Sequence, residues 1–64
     1  MNVTKIKIVI HTKNAAFDEG NGPFETARIL RDLARRIEVG AWSEGTYIPH
    51  DSNGNKVGYC DLEK

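Results

Sequence analysis

The segment from Gly22 to Gly40 constrains the fold of this chain most, because it defines a helix with both ends and one apolar face. Gly22 fits the N-cap, and Pro23 fits the first helical position, where its missing N–H costs no hydrogen bond. Gly40 supplies the left-handed residue that commonly ends a helix. At about 100° per residue, one stripe is predicted to be buried: Ala27, Leu30, Leu33, Ala34 and Ile37. Such a stripe needs a sheet to cover.

The first strand of that sheet is predicted over Lys5 to Ile10, where apolar and polar residues nearly alternate. Side chains alternate between the two faces of a strand. We therefore expect Ile6, Ile8 and Ile10 to face the helix. The opposite face would then hold Lys5, Lys7 and Val9.

A hairpin is predicted after the helix. Its first strand runs from Thr46 to His50, and Pro49 favours a sheet edge because proline cannot donate to a central ladder. The Asn53-Gly54 pair is typical of the turn, since both residues tolerate positive φ. The last strand, from about Lys56 to Leu62, is expected to turn one set of residues inward (Gly58, Cys60, Leu62) and the other outward (Val57, Tyr59, Asp61), and one bulge would reverse this.

These elements predict an α+β fold in a single small domain, residues 1–64, with the order strand, helix, strand, strand. The simplest sheet is three-stranded and fully antiparallel, in the order 1-3-2, with the helix packed on one face. A right-handed crossover that makes strands one and two parallel is the alternative.

Composition limits the classes of function. Nine basic and nine acidic residues cancel, which argues against binding of nucleic acid mainly through phosphate neutralisation. A single Cys allows no intramolecular disulfide. The fold of such a short chain must therefore be stabilised by packing, or by packing plus self-association. The start of the chain shows no apolar signal region, and we expect a cytoplasmic protein.

No motif predicts catalysis, a metal site or a cofactor. The stretch from Asp51 to Asn55 begins like a calcium-binding EF-hand loop, but Lys56 replaces the glycine of position six and Leu62 the glutamate of position twelve. Zinc or thiol chemistry would draw on Cys60, His11 and His50, whose spacing gives no support. We expect a non-enzymatic protein without metal or cofactor.

Two surfaces are candidates for binding. The outer sheet face is predicted to place apolar and aromatic residues beside lysines: Val9, Tyr47, Val57, Tyr59, Lys5 and Lys7. Aromatic residues among lysines suit a protein interface or the stacking of RNA bases, although a small sheet also simply leaves some apolar residues exposed. The same face is expected to form a homodimer. The alternative surface is one side of the helix, with Arg28, Arg31 and Arg35, which could bind phosphates or be an ordinary solvated face.

The chain resembles a group of short bacteriophage and prophage proteins of unknown activity. The resemblance lies in the Asn14-Ala15-Ala16-Phe17 loop, the Arg- and Leu-rich helix 28–37 and the Asp51-Ser52-Asn53-Gly54-Asn55 turn. It implies origin in a mobile element and a place in the cytoplasm of a bacterial host, but no ligand. Cys60 stands where that group has a Trp, so Trp42 would supply the bulk.

The sequence therefore predicts stoichiometric binding to a host or phage protein. The alternative is a nucleic-acid-binding accessory or regulatory module that uses the outer sheet face or the helix arginines. An enzyme ranks below both.

Overall fold

A computed structural model describes residues 2–64 and shows one helix packed on a three-stranded sheet. The strands are β1 (Lys5–Ile10), β2 (Gly45–Tyr47) and β3 (Gly58–Glu63), in the order β1-β3-β2, and both pairings are antiparallel. The helix α1 spans Gly22–Glu38, and a short 3-10 helix at Ala15–Phe17 precedes it. The predicted α+β class and the strand order 1-3-2 are confirmed.

The ends of α1 follow from the residues that flank it. Asn21 is the N-cap, so the helix begins one residue earlier than predicted, and Pro23 lies in its first turn. Val39 is the C-cap, and Gly40 has the expected positive φ of 77°. The N–H groups of Val39 and Gly40 donate to carbonyls of Arg35 and Ile37, which closes the last turn.

The central strand β3 decides which residues share a face, because directly opposite residues of antiparallel strands point to the same side. Cys60 pairs with Ile8 on one side and with Tyr47 on the other, and Leu62 pairs with Ile6. Cys60 and Leu62 are buried beneath the helix, so their predicted inward orientation is confirmed.

A β-bulge turns Val57 into the core, against the prediction that it faces outward. The register between β2 and β3 shifts by one residue between the pair Tyr47↔Cys60 and the bridge His50↔Lys56. The β3 side therefore carries one extra residue. Val57 is only 2% exposed. Gly58 makes the bulge possible, because a Cβ there would lie 1.8 Å from the Val9 carbonyl oxygen.

The stripe that α1 presents to the sheet overlaps the predicted one only in part, since Leu33 is in the core and Ile37 packs against it as predicted. Ile29 and Leu33 are each 2% exposed, whereas Leu30 is 42% exposed and Ala34 lies in solvent. Around these two residues the core comprises buried side chains from every part of the fold: Phe17, Trp42, Val57, Cys60 and Leu62. The prediction is wrong for Leu30 because Glu25 is buried on the same side as Ile29 and turns that side of α1 toward the sheet and the hairpin.

The outer end of the isoleucine row is also more exposed than predicted. Ile6 is 49% and Ile8 is 40% exposed, although both lie on the helix side of the sheet. The strand β1 forms an edge of the sheet, and a single helix does not cover three strands evenly. Ile10, half-buried, packs against the core.

The core assignment predicts different costs for two leucines of the same helix. Leu33→Ala should destabilise the protein by roughly 2 to 5 kcal/mol, because it opens a cavity in the core. Leu30→Ala should cost much less, because the side chain of Leu30 is already partly in water. Urea unfolding of the two variants measures the difference, and equal losses would contradict this packing.

Candidate functional site

The buried carboxylate of Glu25 joins the helix to the hairpin turn. Its Oε2 accepts the Ser52 N–H at 2.7 Å, and its Oε1 accepts Arg28 Nε at 2.8 Å. Arg28 Nη2 also donates to the His50 carbonyl at 3.2 Å. Only 7% of Glu25 is exposed. The first turns of α1 are therefore held against residues 50–52 through charge-assisted bonds, which are stronger than neutral ones.

Arg28 keeps Glu25 ionised. Its hydrogen bond lowers the pKa of the Glu25 carboxyl below its ordinary value, against burial, which acts in the opposite direction, and the Ser52 N–H adds to the lowering. A second carboxylate in the turn behaves similarly. Burial raises the pKa of Asp51, but hydrogen bonds from Asn55, Asn14 and Asn53 outweigh it and leave that pKa lowered.

Asp51 organises the turn through hydrogen bonds to its backbone and to Asn14. Its Oδ1 accepts the N–H groups of Asn53 and Asn55, each at 2.9 Å, and its Oδ2 accepts Asn14 Nδ2 at 3.0 Å. Of the Asn53-Gly54 pair, only Gly54 adopts positive φ, so the turn is longer than the two-residue form that the sequence suggested. The oxygens of Asp51 are thus occupied by bonds within the chain.

The outer sheet face does not have the predicted composition. Tyr47 and Val57 are absent from it: Val57 lies in the core, and Tyr47 lies on the helix side opposite Cys60. A three-residue strand is too short for alternation to fix its register, which explains the error for Tyr47. Tyr47 instead packs beside Trp42, with ring centroids 5.8 Å apart, and below the Arg36 guanidinium, 4.5 Å from its ring centroid.

What remains of the outer sheet face is charge-balanced across the strands. Lys5 lies opposite Glu63 and Lys7 opposite Asp61, while Val9 lies opposite Tyr59. Lys7 Nζ is 5.9 Å from the centroid of the Tyr59 ring. Thr46 Oγ1 donates to Asp61 at 2.5 Å. Opposite charges placed in this way favour the pairing of β1 with β3 and reduce the positive potential available to a phosphate backbone.

The arginine face, which we define as Phe24, Arg28, Arg31 and Arg35, is an exposed surface of α1. These residues fall within about 60° of arc, on the side away from Ile29 and Leu33. Phe24 is 75% exposed, the highest value among the large apolar residues described. Arg28 is fixed by Glu25, whereas Arg31 and Arg35 form no ion pair with any residue of 2–64.

Sequence reasoning found these three arginines but overlooked the aromatic side chain among them. The spacing was visible: Phe24, Arg28, Arg31 and Arg35 stand at positions i, i+4, i+7 and i+11 of one helix. Phe24 belongs neither to the predicted buried stripe nor to the predicted arginine set. Phe24 is exposed because of the way α1 is rotated on the sheet, and the sequence pattern predicted that rotation incorrectly.

The groups considered for catalysis or metal binding lie apart. Cys60 is fully buried, and burial raises the pKa of its thiol, whereas His11 is exposed at the end of β1. Within residues 2–64, no three His, Cys, Asp or Glu side chains are grouped to hold a metal ion. A depression of about 230 Å³ lies between Asn2, Ser43, Glu44 and Lys64, and its two charged side chains bond each other at 2.9 Å.

Comparison of the chain with protein-family models, with curated proteins and with solved structures gave no match. The described part of the chain has no helix with the length and apolar character needed to cross a bilayer.

The Glu25 bonds predict a specific acid sensitivity. A carboxyl whose pKa is lowered by folding contributes stability above its unfolded pKa, and this is lost as pH falls through the folded pKa. Wild-type protein should therefore lose stability on acidification below the ordinary glutamate range. Glu25→Gln should be less stable at neutral pH and should lose less on acidification.

Denaturant unfolding between neutral pH and pH ~3 tests this, because that interval covers the ordinary carboxyl pKa values. Glu38→Gln is the matched control, since Glu38 lies exposed on the same helix. If both variants show the wild-type pH dependence, the structural role of the Glu25 carboxylate is refuted.

Proposed function

We propose that this protein is a non-enzymatic binding protein that attaches stoichiometrically to another protein through its arginine face. One observation carries the proposal: Phe24 is 75% exposed on the same face of α1 as Arg31 and Arg35, two arginines that form no ion pair within residues 2–64. Phage or prophage origin and a target in the bacterial host remain part of this proposal, on the resemblance of the loop, helix and turn.

The chemistry of the arginine face suits a protein surface. Aromatic residues and arginine are enriched at interfaces, and a few such residues supply most of the binding energy. Exposing Phe24 to water is unfavourable, so an apolar pocket on a partner would gain by accepting it. Arg31 and Arg35, about two and three turns further along the same face of α1, would pair with carboxylates at one end of the rim of that pocket. We therefore expect the partner to have an apolar groove with an acidic rim. This groove would contact α1 at Phe24, Arg31 and Arg35.

Rigidity of the helix also favours recognition. Glu25 and Arg28 hold the N-terminal half of α1 against the hairpin turn, and the Gly22 backbone lies against the Phe17 carbonyl. A surface that is ordered before binding loses less conformational entropy in the complex. Phe24 and Arg31 are thus presented from a fixed position.

The outer sheet face supports the same function less well. Of its predicted apolar members only Val9 and Tyr59 remain there, both half-buried, and its lysines lie opposite carboxylates. We retain Val9, Tyr59, Lys5 and Lys7 as a secondary surface for comparison in the experiment below.

Binding of nucleic acid is the second candidate, favoured by Arg31 and Arg35, which form no ion pair within residues 2–64, on the same helix face as an exposed aromatic ring that could stack on a base. A net charge of zero disfavours it, because phosphate binding depends on excess positive charge. The two candidates differ in salt dependence. A nucleic-acid complex should weaken steeply with salt, whereas a complex centred on a buried Phe24 should change little.

The test is affinity capture from bacterial host extract, with and without nuclease, followed by titration of the purified partner. Phe24→Ala should weaken binding at least about 30-fold, the effect of losing an interface hot spot, and Arg31→Ala with Arg35→Ala should weaken it further. Val39→Ala is the matched control, an exposed apolar residue at the other end of α1, and should bind as wild type does.

Three outcomes would contradict the proposal. Phe24→Ala could bind with unchanged affinity, Tyr59→Ala could abolish binding while Phe24→Ala does not, or nuclease treatment could remove the captured material. The last, with a steep salt slope for pure single-stranded nucleic acid, would establish the second candidate instead.

A further inference from the structure

The strand β1 is an open edge of the sheet. At the other edge β2 has only three residues and leads to the buried Pro49, so it offers little to a further strand. By contrast β1 has six residues, of which Lys5 to Ile8 are all exposed. A long edge strand with exposed isoleucines is a template for pairing with another strand.

The hydrogen-bonding groups of this edge can be assigned. His11 and Val57 continue the register beyond the pair Ile10↔Gly58. They form a hydrogen-bonded pair, because His11 N–H donates to the Val57 carbonyl. Bonded and non-bonded pairs alternate along an antiparallel ladder. It follows that Lys5, Lys7 and Val9 direct their backbone groups to β3. The remaining three residues direct their N–H and C=O groups to the open edge: Ile6, Ile8 and Ile10.

An exposed leucine of the helix lies above the same edge. One flank of α1 is directed toward β2 and the hairpin, because Arg36 contacts Tyr47 and Glu25 contacts Ser52. On a helical wheel Leu30 lies on the opposite flank, about 140° from Glu25, which is the side of β1. We call three exposed residues the apolar edge: Ile6 (49% exposed), Ile8 (40%) and Leu30 (42%).

We propose that β1 pairs antiparallel with β1 of a second copy of this chain, about a two-fold axis through Ile8. Ile8 then lies opposite Ile8 of the second copy, and Ile6 lies opposite Ile10. The backbone groups assigned above to the open edge meet as three hydrogen-bonded pairs. The two sheets join into one six-stranded sheet, both helices lie on the same side of it, and each Leu30 approaches the apolar edge of the other copy.

The charges of β1 favour a second copy in this register. Lys7 lies opposite Val9 of the second copy, and no lysine opposes a lysine. An axis through Lys7 would oppose the two Lys7 side chains, which is destabilising. An axis through Val9 would place Ile6 opposite Thr12 and Lys5 opposite Lys13. Only the axis through Ile8 matches every isoleucine with an isoleucine, and a neutral chain does not repel its copy.

The size of the protein is compatible with such a dimer. A stable interface takes about 800 Å² from each partner, roughly a fifth of the 4465 Å² accessible surface of this chain. One strand edge is too narrow for that area, so the flank of α1 with Leu30 must take part. Edge lysines often prevent strand pairing, but here Lys5 and Lys7 lie on the outer sheet face opposite Glu63 and Asp61.

Symmetric disulfide trapping tests the register. In the proposed dimer the two Ile8 Cα atoms lie about 5.5 Å apart, within the range for a disulfide, so Ile8→Cys should cross-link under mild oxidation. The two Ile6 positions are displaced by four residues along the strand, about 13 Å, so Ile6→Cys should not. Both variants carry Cys60→Ala, because Cys60 lies directly opposite Ile8 on the same face of the sheet and would bond a cysteine at position 8 within one chain. Cys60→Ala alone is the background control. Cross-linking of Ile6→Cys as readily as Ile8→Cys would overturn the proposal.

Sedimentation equilibrium tests the dimer itself. Wild type should be dimeric at high micromolar concentration, and Ile8→Lys should be monomeric, because a lysine beside the strand pair blocks it. Ile8 is 40% exposed, so the lysine can reach water, and an unchanged circular dichroism spectrum would show that the monomer is folded. Val39→Lys, which changes an exposed apolar residue elsewhere on α1, should stay dimeric. A monomeric wild type, or a dimeric Ile8→Lys, would overturn the proposal.

Discussion

The rotation of the helix on the sheet depends on the buried carboxylate of Glu25. A buried carboxylate without partners costs several kcal/mol, so the helix must keep Glu25 within reach of the Ser52 N–H and of Arg28. That requirement places Ile29 and Leu33 over the sheet, Leu30 at its margin and Phe24 in solvent. The exposed surfaces of α1 therefore follow from a rotation that this carboxylate and the burial of Ile29 and Leu33 fix together.

The hairpin that receives this carboxylate is itself built from polar bonds. Asp51 binds the backbone of Asn53 and Asn55, and Asn14 reaches the same carboxylate from the loop after β1. The loop, helix start and turn are thus connected by side-chain hydrogen bonds. No buried side-chain nitrogen or oxygen of the described residues lacks a hydrogen-bond partner. In so small a domain, where the apolar core is limited, this connection fixes the geometry that packing alone would leave loose.

The two proposed surfaces lie on different sides of the protein and are independent. The arginine face is directed away from the sheet, whereas the apolar edge continues the sheet sideways. A two-fold axis perpendicular to the sheet would place both arginine faces on one side, so a dimer would offer two equivalent binding surfaces to a multivalent partner. Because Ile8 and Phe24 belong to different surfaces, loss of the dimer in Ile8→Lys need not affect the single-site affinity of the arginine face.

The sequence by itself determined the helix and the three strands. It favoured the order 1-3-2 and the inward orientation of Cys60 and Leu62, while a parallel pairing of strands one and two stayed open. Alternation in the two long strands and the Gly and Pro residues at the helix ends are local signals, and local propensity does not need the rest of the fold. Only the tertiary structure decided the positions of Val57, Tyr47 and Leu30. Val57 depends on a bulge at Gly58, Tyr47 on the register of a three-residue strand, and Leu30 on a hydrogen bond between residues 25 and 52. The position of each of these residues depends on contacts between distant parts of the chain. The candidate binding surface moved from the outer sheet face to the arginine face because the exposure of both surfaces depends on such contacts.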